Sequence, residues 1–390
     1  MSSSDDDLIA LESISTKVRK KRVGIHSINS ERITYGEYHH LFPSLKKDDK
    51  RFFQYMRMSQ DTFNYILEKV GNRLTKNWCN LHKQAILPEE RLVITLRYLA
   101  TGSSFKQIGF SFRLGASTVG QIVQETVCII WDVLQPIHMP TPKKQDFQRI
   151  SEEFNNIFNN IWNFPHCIGA IDGKHVRIVC PKNSGSMFYN YKHYFSVVQG
   201  VADANYKFIV VEIGGYGKQS DGGTFQASEL YRQLKNGTLA IPEPCNFPQT
   251  KTKAPFVLIS DEAYPLLPFL LKPFGGRNLS IEEECFNKRL SRARKTIECT
   301  FGIITAKWRI LSKCIETNIT TADNIIKCIC ILHNTIIDKE GFERHLSEVS
   351  VENCTETTGK KATGRPLNDA KNIRDIFVTY FAHNTLSYKT

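Results

Sequence analysis

Four apolar runs decide the fold: CIGAI (167–171), FSVVQGVA (195–202), KFIVVEIG (207–214) and FVLIS (256–260). Each is short, rich in branched residues and bounded by turn formers, the pattern of a buried strand. Asp203-Ala-Asn-Tyr206 supplies turn residues between the second and third, so these are predicted to pair as a hairpin. A helix is predicted over about 224–235, opening near Ser220-Asp221-Gly222-Gly223 and closing at Asn236-Gly237. The order strand, strand, strand, helix, strand, then helices specifies an α/β (α+β) domain with helices packed on a sheet.

Outward toward the N terminus the period becomes helical. RFFQYMRMSQDTFNYILEKV (51–70) reads as one helix with a start signal at Ser59/Asp61. Pro88 opens a second, striped by Leu92, Val93, Leu96 and Leu99 and stopped at Thr101-Gly102. SFKQIGFSF (104–112) and ASTVGQIVQETVCIIW (116–131) then flank a short turn at Leu114-Gly115, which is helix-turn-helix spacing. Residues 46–145 thus form an all-helical, helix-turn-helix-type region, or else an ordinary helical subdomain. Its candidate recognition helix presents Ser117, Thr118, Gln121 and Gln124, yet no Lys or Arg occurs from Leu114 to Thr141. Phosphate neutralisation supplies most non-specific affinity, so recognition of DNA is expected to need another protein or a basic surface elsewhere.

Toward the C terminus, 285–312 lacks proline and is predicted to be one long helix, followed by an apolar helix over 322–337. Residues 345–370 are too polar to build core and are expected to be a disordered insert, as is the 1–45 tail. Residues 371–390 read as a final helix, docking back through NIRDIFVTYF (372–381), and a tail.

The 390 residues are 41% hydrophobic, enough to offset chain entropy and exclude disorder throughout. A net charge of +12 favours a polyanionic partner, with nucleic acid the first candidate. Eleven cysteines without a CxxC pair form no zinc pattern and read as reduced thiols of an intracellular protein. No run reaches the roughly 18 apolar residues of a membrane span. KVRKKR (17–22) is either a nuclear import signal or a solvated tail. The Gly pairs at 214–215 and 222–223 lack the Gly-x4-Gly-Lys spacing of a nucleotide-hydrolysing motor.

Three acids stand out. Asp172 directly follows CIGAI and Asp261 directly follows FVLIS, so both are expected at the ends of buried strands. Glu298 lies on the long helix, in a stretch from Phe286 to Lys313 that holds eight Lys/Arg and one acid. A solvated helix mixes both signs, so this pattern suggests a metal ligand inside a cationic groove; the alternative is an intrahelical pair with Arg294 or Lys295. Carboxylates suit hard divalent cations, and two such ions can activate a nucleophile and neutralise a phosphodiester.

GAIDGKHVRI (169–178), Asn190-Tyr191-Lys192, ISDEAYPLLPFLLKPF (259–274), FNKRLSRARKTIECTFGIITAKWRIL (286–311) and CILHNTII (330–337) together resemble the PIF/Harbinger DDE transposases and the Harbinger transposase-derived nuclease. The likeness covers about 50–340. It implies a ribonuclease H-like nuclease core over 164–337, with Asp172, Asp261 and Glu298 matching the DDE triad and binding Mg²⁺ or Mn²⁺, two ions in all. The enzyme reading gives phosphate contacts to Arg292, Arg294, Lys295, Lys307 and Arg309 of the cationic helix, and the helix-turn-helix reading gives DNA contacts to Ser117 and Gln121. The likeness further implies a Myb-like DNA-binding partner and residence in the nucleus, with some in the cytoplasm; a homo-oligomer is compatible. Asp221 falls in Gly217-Lys-Gln-Ser-Asp221, where the family has His before the Asp; it is either a helix N-cap or a further metal ligand. Ala263 stands where the family has a glycine, so it would be strained if the turn there needs a positive φ. His175 and Lys174 are candidates for phosphate contact or surface pairing, and His333 for a satisfied core histidine. The implied activity is a metal-dependent DNA endonuclease; the alternative is a catalytically silent, domesticated transposase acting as a nuclear DNA-associated regulator.

Overall fold

The computed structural model describes residues 25–76, 85–155, 162–190, 193–346 and 368–384. The basic run at 17–22 and most of the 345–370 segment lie outside them; a single helical turn, Glu343–Leu346, leads into the latter.

The 1–45 stretch is not disordered from residue 27 on. It makes four single helical turns between Ser27 and Leu45. They are pinned by Arg32, buried against Glu90 with Nη1 3.1 Å from Oε2, and by Phe42 and Leu45 in the core. The 51–70 segment is two helices, α1 (Asp49–Met56) and α2 (Gln60–Leu74). Arg57, at φ 65°, ends the first, and Ser59 caps the second by accepting from the Thr62 N–H. Helices α3 (Pro88–Thr101), α4 (Phe105–Phe112) and α5 (Ala116–His138) follow as predicted, α5 running on to carry Pro136 in its last turn. The Phe105 ring holds them together, 4.8 Å from Tyr98 and against Gly120 of α5. Helix α6 (Lys144–Asn155) leads to the sheet.

The sheet is built on β1 (Cys167–Ile178), with β3 (His193–Ala202) antiparallel on one side and β7 (Val257–Ile259) parallel on the other. Beyond β3 lies β4 (Phe208–Tyr216), joined to it by the expected hairpin, and beyond β7 lies the parallel β8 (Leu270–Leu271). Short β2 (Tyr189–Asn190) pairs with the start of β3, and β5 (Cys245–Asn246) with β6 (Lys253–Ala254) forms a separate ribbon. Strand β1 is longer than its apolar run: β3 pairs with it through Ile178, so Asp172 sits inside the strand, opposite Gly200.

The predicted 224–235 helix is two, α7 (Asp221–Gln226) and α8 (Glu229–Asn236), because Ser228 caps a fresh start. They cover one face of the sheet through Phe225, Leu230 and Leu234. The other face carries α9 (Ile281–Lys307) and α10 (Ile319–Glu340). The 285–312 prediction is corrected at both ends. A Ser280/Glu283 capping box starts α9 earlier, and a 3-10 turn, Arg309–Ser312, replaces its end. Helix α11 (Asn368–His383) docks back, burying Phe377 and Phe381.

The helical region and the sheet share one continuous core. Across the junction His138 of α5 lies 2.7 Å from Asp338 of α10 and 3.1 Å from the Tyr65 hydroxyl, and Lys207 Nζ is 2.5 Å from Asp338. Asn334 Nδ2 donates to the His138 carbonyl at 3.0 Å. Among the described residues no helix is long and apolar enough to cross a membrane, and the nine cysteines described are all free thiols.

Candidate active site

Strand pairing sets the first carboxylate. Directly opposed residues of an antiparallel pair share a face, so Asp172 and Gly200 both look toward α9. A Cβ on Gly200 would stand 2.9 Å from the Phe208 ring and 3.1 Å from Phe301, so only glycine lets Phe301 close on the sheet. Glu298, three residues before Phe301 on α9, is thereby brought above Asp172. The second carboxylate follows from parallel pairing: Ile259 of β7 lies beside Ala170 of β1, so Asp261, two residues on, comes out beside Asp172.

Asp261 Oδ1 accepts from the Ala263 N–H at 2.9 Å and closes a tight turn. The turn needs no positive φ at Ala263, so the alanine is unstrained there, with its side chain buried. Beneath the acids Tyr264 is wholly buried and its hydroxyl accepts from Gln199 Nε2 at 3.2 Å.

Asp221 is not the N-cap of α7. Ser220 is, its hydroxyl accepting from the Gly223 N–H at 3.2 Å. The Asp221 carboxylate is instead turned onto β1, where a Cβ on Gly173 would meet its Oδ1 at 2.2 Å. That oxygen is buried without a hydrogen-bond partner, as is His175 Nε2. Burial, then the charge of Asp261, pushes Asp172 up to about 7, with Asp221 adding to the rise and Arg294 opposing it. Asp221 and Asp261 are also raised, chiefly by burial.

The expected cation set divides. Arg294 is not on an open groove wall: its Nη2 lies 2.5 Å from Glu298 Oε1 and its Nη1 3.8 Å from Asp172 Oδ2. The intrahelical pair weighed as an alternative for Glu298 therefore exists, and it reaches a second acid. Lys307 is also corrected. It is buried, donating to the Arg57 carbonyl at 3.0 Å with Nζ 2.8 Å from His345 Nδ1, because α9 ends beneath α1. Lys295 and Arg309 are exposed, Arg292 is half-buried, and the Lys174 ammonium lies 5.9 Å over the Phe301 ring. On α5, Ser117 is exposed, while the Gln121 amide donates to Glu125, which also holds Lys76 and Arg91. His333 is the expected core histidine, bonded to the Tyr206 carbonyl at 2.7 Å and pushed down to about 3 by burial.

Hard oxygen donors, three of them raised by burial and one bearing an orphaned oxygen, fit a divalent cation. Among the described residues they do not yet close into a cage of three ligands; Arg294 supplies the positive charge between them. Sequence reasoning missed this bridging role, as it missed Tyr264 and Gln199 under the acids. The position of Arg294, four residues before Glu298, was the available signal.

A mixed sheet flanked by helices, with acids gathered at β1 and β7 and a Glu on the covering helix, defines the class. Residues 171–334 match the family described as DDE superfamily endonuclease. The chain is 28% identical to Protein ALP1-like of Arabidopsis thaliana, covering 75% of this chain and 72% of that one. It is 29% identical to the Antagonist of Like Heterochromatin Protein 1 of the same plant, covering 76% and 75%. With HARBI1 of Rattus norvegicus, whose name proposes a nuclease, it shares 23% identity over 92% of this chain and 99% of the relative. No solved structure matches. The match and these relatives together support a Harbinger-type DDE endonuclease family for this chain.

Proposed function

We propose that this protein is a transposase-derived DNA endonuclease in which Asp172, Asp261 and Glu298, with Asp221 beside them, hold divalent metal. The observation that carries the reading is the gathering of Asp172, Asp221 and Asp261 in one buried place, where burial first and the charge of Asp261 second lift Asp172 to about 7. A cation at that point would relieve the crowding. The three antiparallel strands continued by two parallel ones, with helices on both faces, support a ribonuclease H-like core. Two Mg²⁺ or Mn²⁺ ions bound there would neutralise a phosphodiester and activate the attacking oxygen.

The chain's own residues do the rest. Asp172 lies beside Asp261 and is linked to Glu298 through Arg294. Glu298 becomes available once Arg294 releases it. Lys295, Arg292 and Arg309 hold backbone phosphates. Helix α5 brings no cation of its own, and Gln121 is engaged by Glu125. Both facts support a separate Myb-like partner for target recognition, and a DNA substrate would make the nucleus the working compartment.

A second reading, a catalytically silent nuclear DNA-associated regulator, is favoured by the Arg294–Glu298 contact and by a relative named for antagonism of a heterochromatin protein. The two separate in one assay: cleavage of a labelled duplex by the full chain in Mg²⁺ or Mn²⁺, with and without nuclear extract, beside Asp172→Asn. Cutting that disappears in the variant supports the nuclease. Salt-sensitive DNA binding without cutting under any condition favours the regulator.

A further inference from the structure

One end of the sheet combines two features that the acid site does not use. From Gly173 to Ala202 the chain has no Asp or Glu, but it carries Lys174, Arg177, Lys182 and Lys192. In the same region Tyr189 and Tyr216 are 44% and 42% exposed, a high value for large rings with the core close by.

Strand register puts these rings together. Tyr189 is paired with Tyr194, Tyr194 with Ile178, and Ser196 with Tyr216. Opposed residues share a face and alternate ones repeat it, so Tyr189, Tyr194 and Tyr216 all project on one side. The Tyr189 and Tyr194 rings meet edge to face at 5.3 Å, and Tyr216 leans on Phe188 at 5.2 Å. Two residues beyond Tyr194, Ser196 ties β3 to α10 by donating to Asp323 at 2.7 Å. That carboxylate is thereby engaged and raised by burial. Arg177, with Nη2 3.2 Å from His193, projects on the opposite face, and Lys182 and Lys218 lie exposed on the loops beside the strands. Asp172 points to the same side as the tyrosines. Six residues of strand separate it from Ile178, about 20 Å at roughly 3.3 Å per residue.

We infer that this tip is a stacking platform for unpaired nucleotides of DNA, with Tyr189, Tyr194 and Tyr216 taking bases and Lys182 and Lys218, on the loops beside them, the phosphates. Aromatic rings receive any base by its π-face, and flanking cations track the backbone. Bases held about 20 Å from the acids would belong to the strand flanking the bond to be cut. The inference rests on the DNA-processing reading above.

The test is fluorescence anisotropy of the full chain in EDTA with a labelled single-stranded 16-mer, its duplex and the same sequence as RNA. Tyr189→Ala combined with Tyr216→Ala should weaken single-strand binding at least about tenfold and leave the duplex unchanged, while the two Phe substitutions retain affinity. Equal loss on single strand and duplex, or no loss on either, overturns the platform. Tighter RNA binding overturns its assignment to DNA. Duplex binding alongside single-strand binding that does not depend on the tyrosines sinks this inference alone, whereas no binding to any nucleic acid sinks the parent reading too.

Discussion

The Arg294 guanidinium lies 2.5 Å from Glu298 and 3.8 Å from Asp172, so one cation of the chain bridges two members of the acidic triad. A guanidinium in that place competes with any metal ion for the same oxygens. Arg294→Gln is therefore expected to bind Mn²⁺ more tightly, by about tenfold or ~1.4 kcal/mol, and to melt at lower temperature in EDTA. Calorimetric titration with Mn²⁺ checks the first and a melting curve the second. Unchanged affinity would mean that the pair merely orders the helix.

Asp172 also predicts a pH dependence. Its folded-state value of about 7 lies above the ordinary aspartate value. The folded state therefore keeps the proton more tightly, and stability falls as pH rises from about 4 through 7. Asp172→Asn removes this penalty. The variant should gain stability at pH 8 relative to wild type, by about 1–3 kcal/mol, and gain little at pH 4. Urea denaturation at both pH values decides; an equal effect at both would refute the linkage.

Lys307 separates a structural cation from a DNA-binding one. Lys307→Met keeps the stem but leaves the Arg57 carbonyl without its donor, and should cost about 1–3 kcal/mol. Lys295→Ala should leave stability unchanged while reducing the salt dependence of DNA binding by about one ion. Binding isotherms at several salt concentrations, beside urea midpoints, distinguish the two.

Gly200 tests how the helix is seated. A methyl group there meets two phenyl rings at 2.9 and 3.1 Å. Gly200→Ala should destabilise by about 1–3 kcal/mol and weaken Mn²⁺ binding by lifting Glu298 away from Asp172. Full metal affinity in a folded Gly200→Ala protein would show that Glu298 is placed by other contacts.

Much of this architecture was legible because burial writes itself in apolar runs. FSVVQGVA and KFIVVEIG gave a hairpin with its turn at Asp203–Tyr206, and FVLIS placed Asp261. Strand β1 was read too short. Beyond Asp172 only Val176 and Ile178 face the core, and the charged residues between them hide the alternation. The break at Arg57 was illegible for a different reason: a left-handed residue between two good helices leaves no apolar trace. Likewise Lys307 and Lys295 look equally solvated in sequence, because α1 covers Lys307 from some 250 residues away. Asp221 was weighed as a cap since a serine and an aspartate adjoin there, and either side chain can cap a helix.

The shared core between the helical region and the sheet, clasped by His138, Asp338 and Lys207, turns the molecule into a ruler of fixed length. A swivelling head could follow a sequence displaced along the duplex; under the proposed nuclease reading, a head welded to its blade would hold a recognition partner docked on it in one phase with the cut. Each base pair inserted between the site read and the bond attacked rotates the target by about 35° about the DNA axis. Substrates with spacers altered by half a helical turn would therefore present the wrong strand face to Asp172, and a full turn would restore the angle but not the distance.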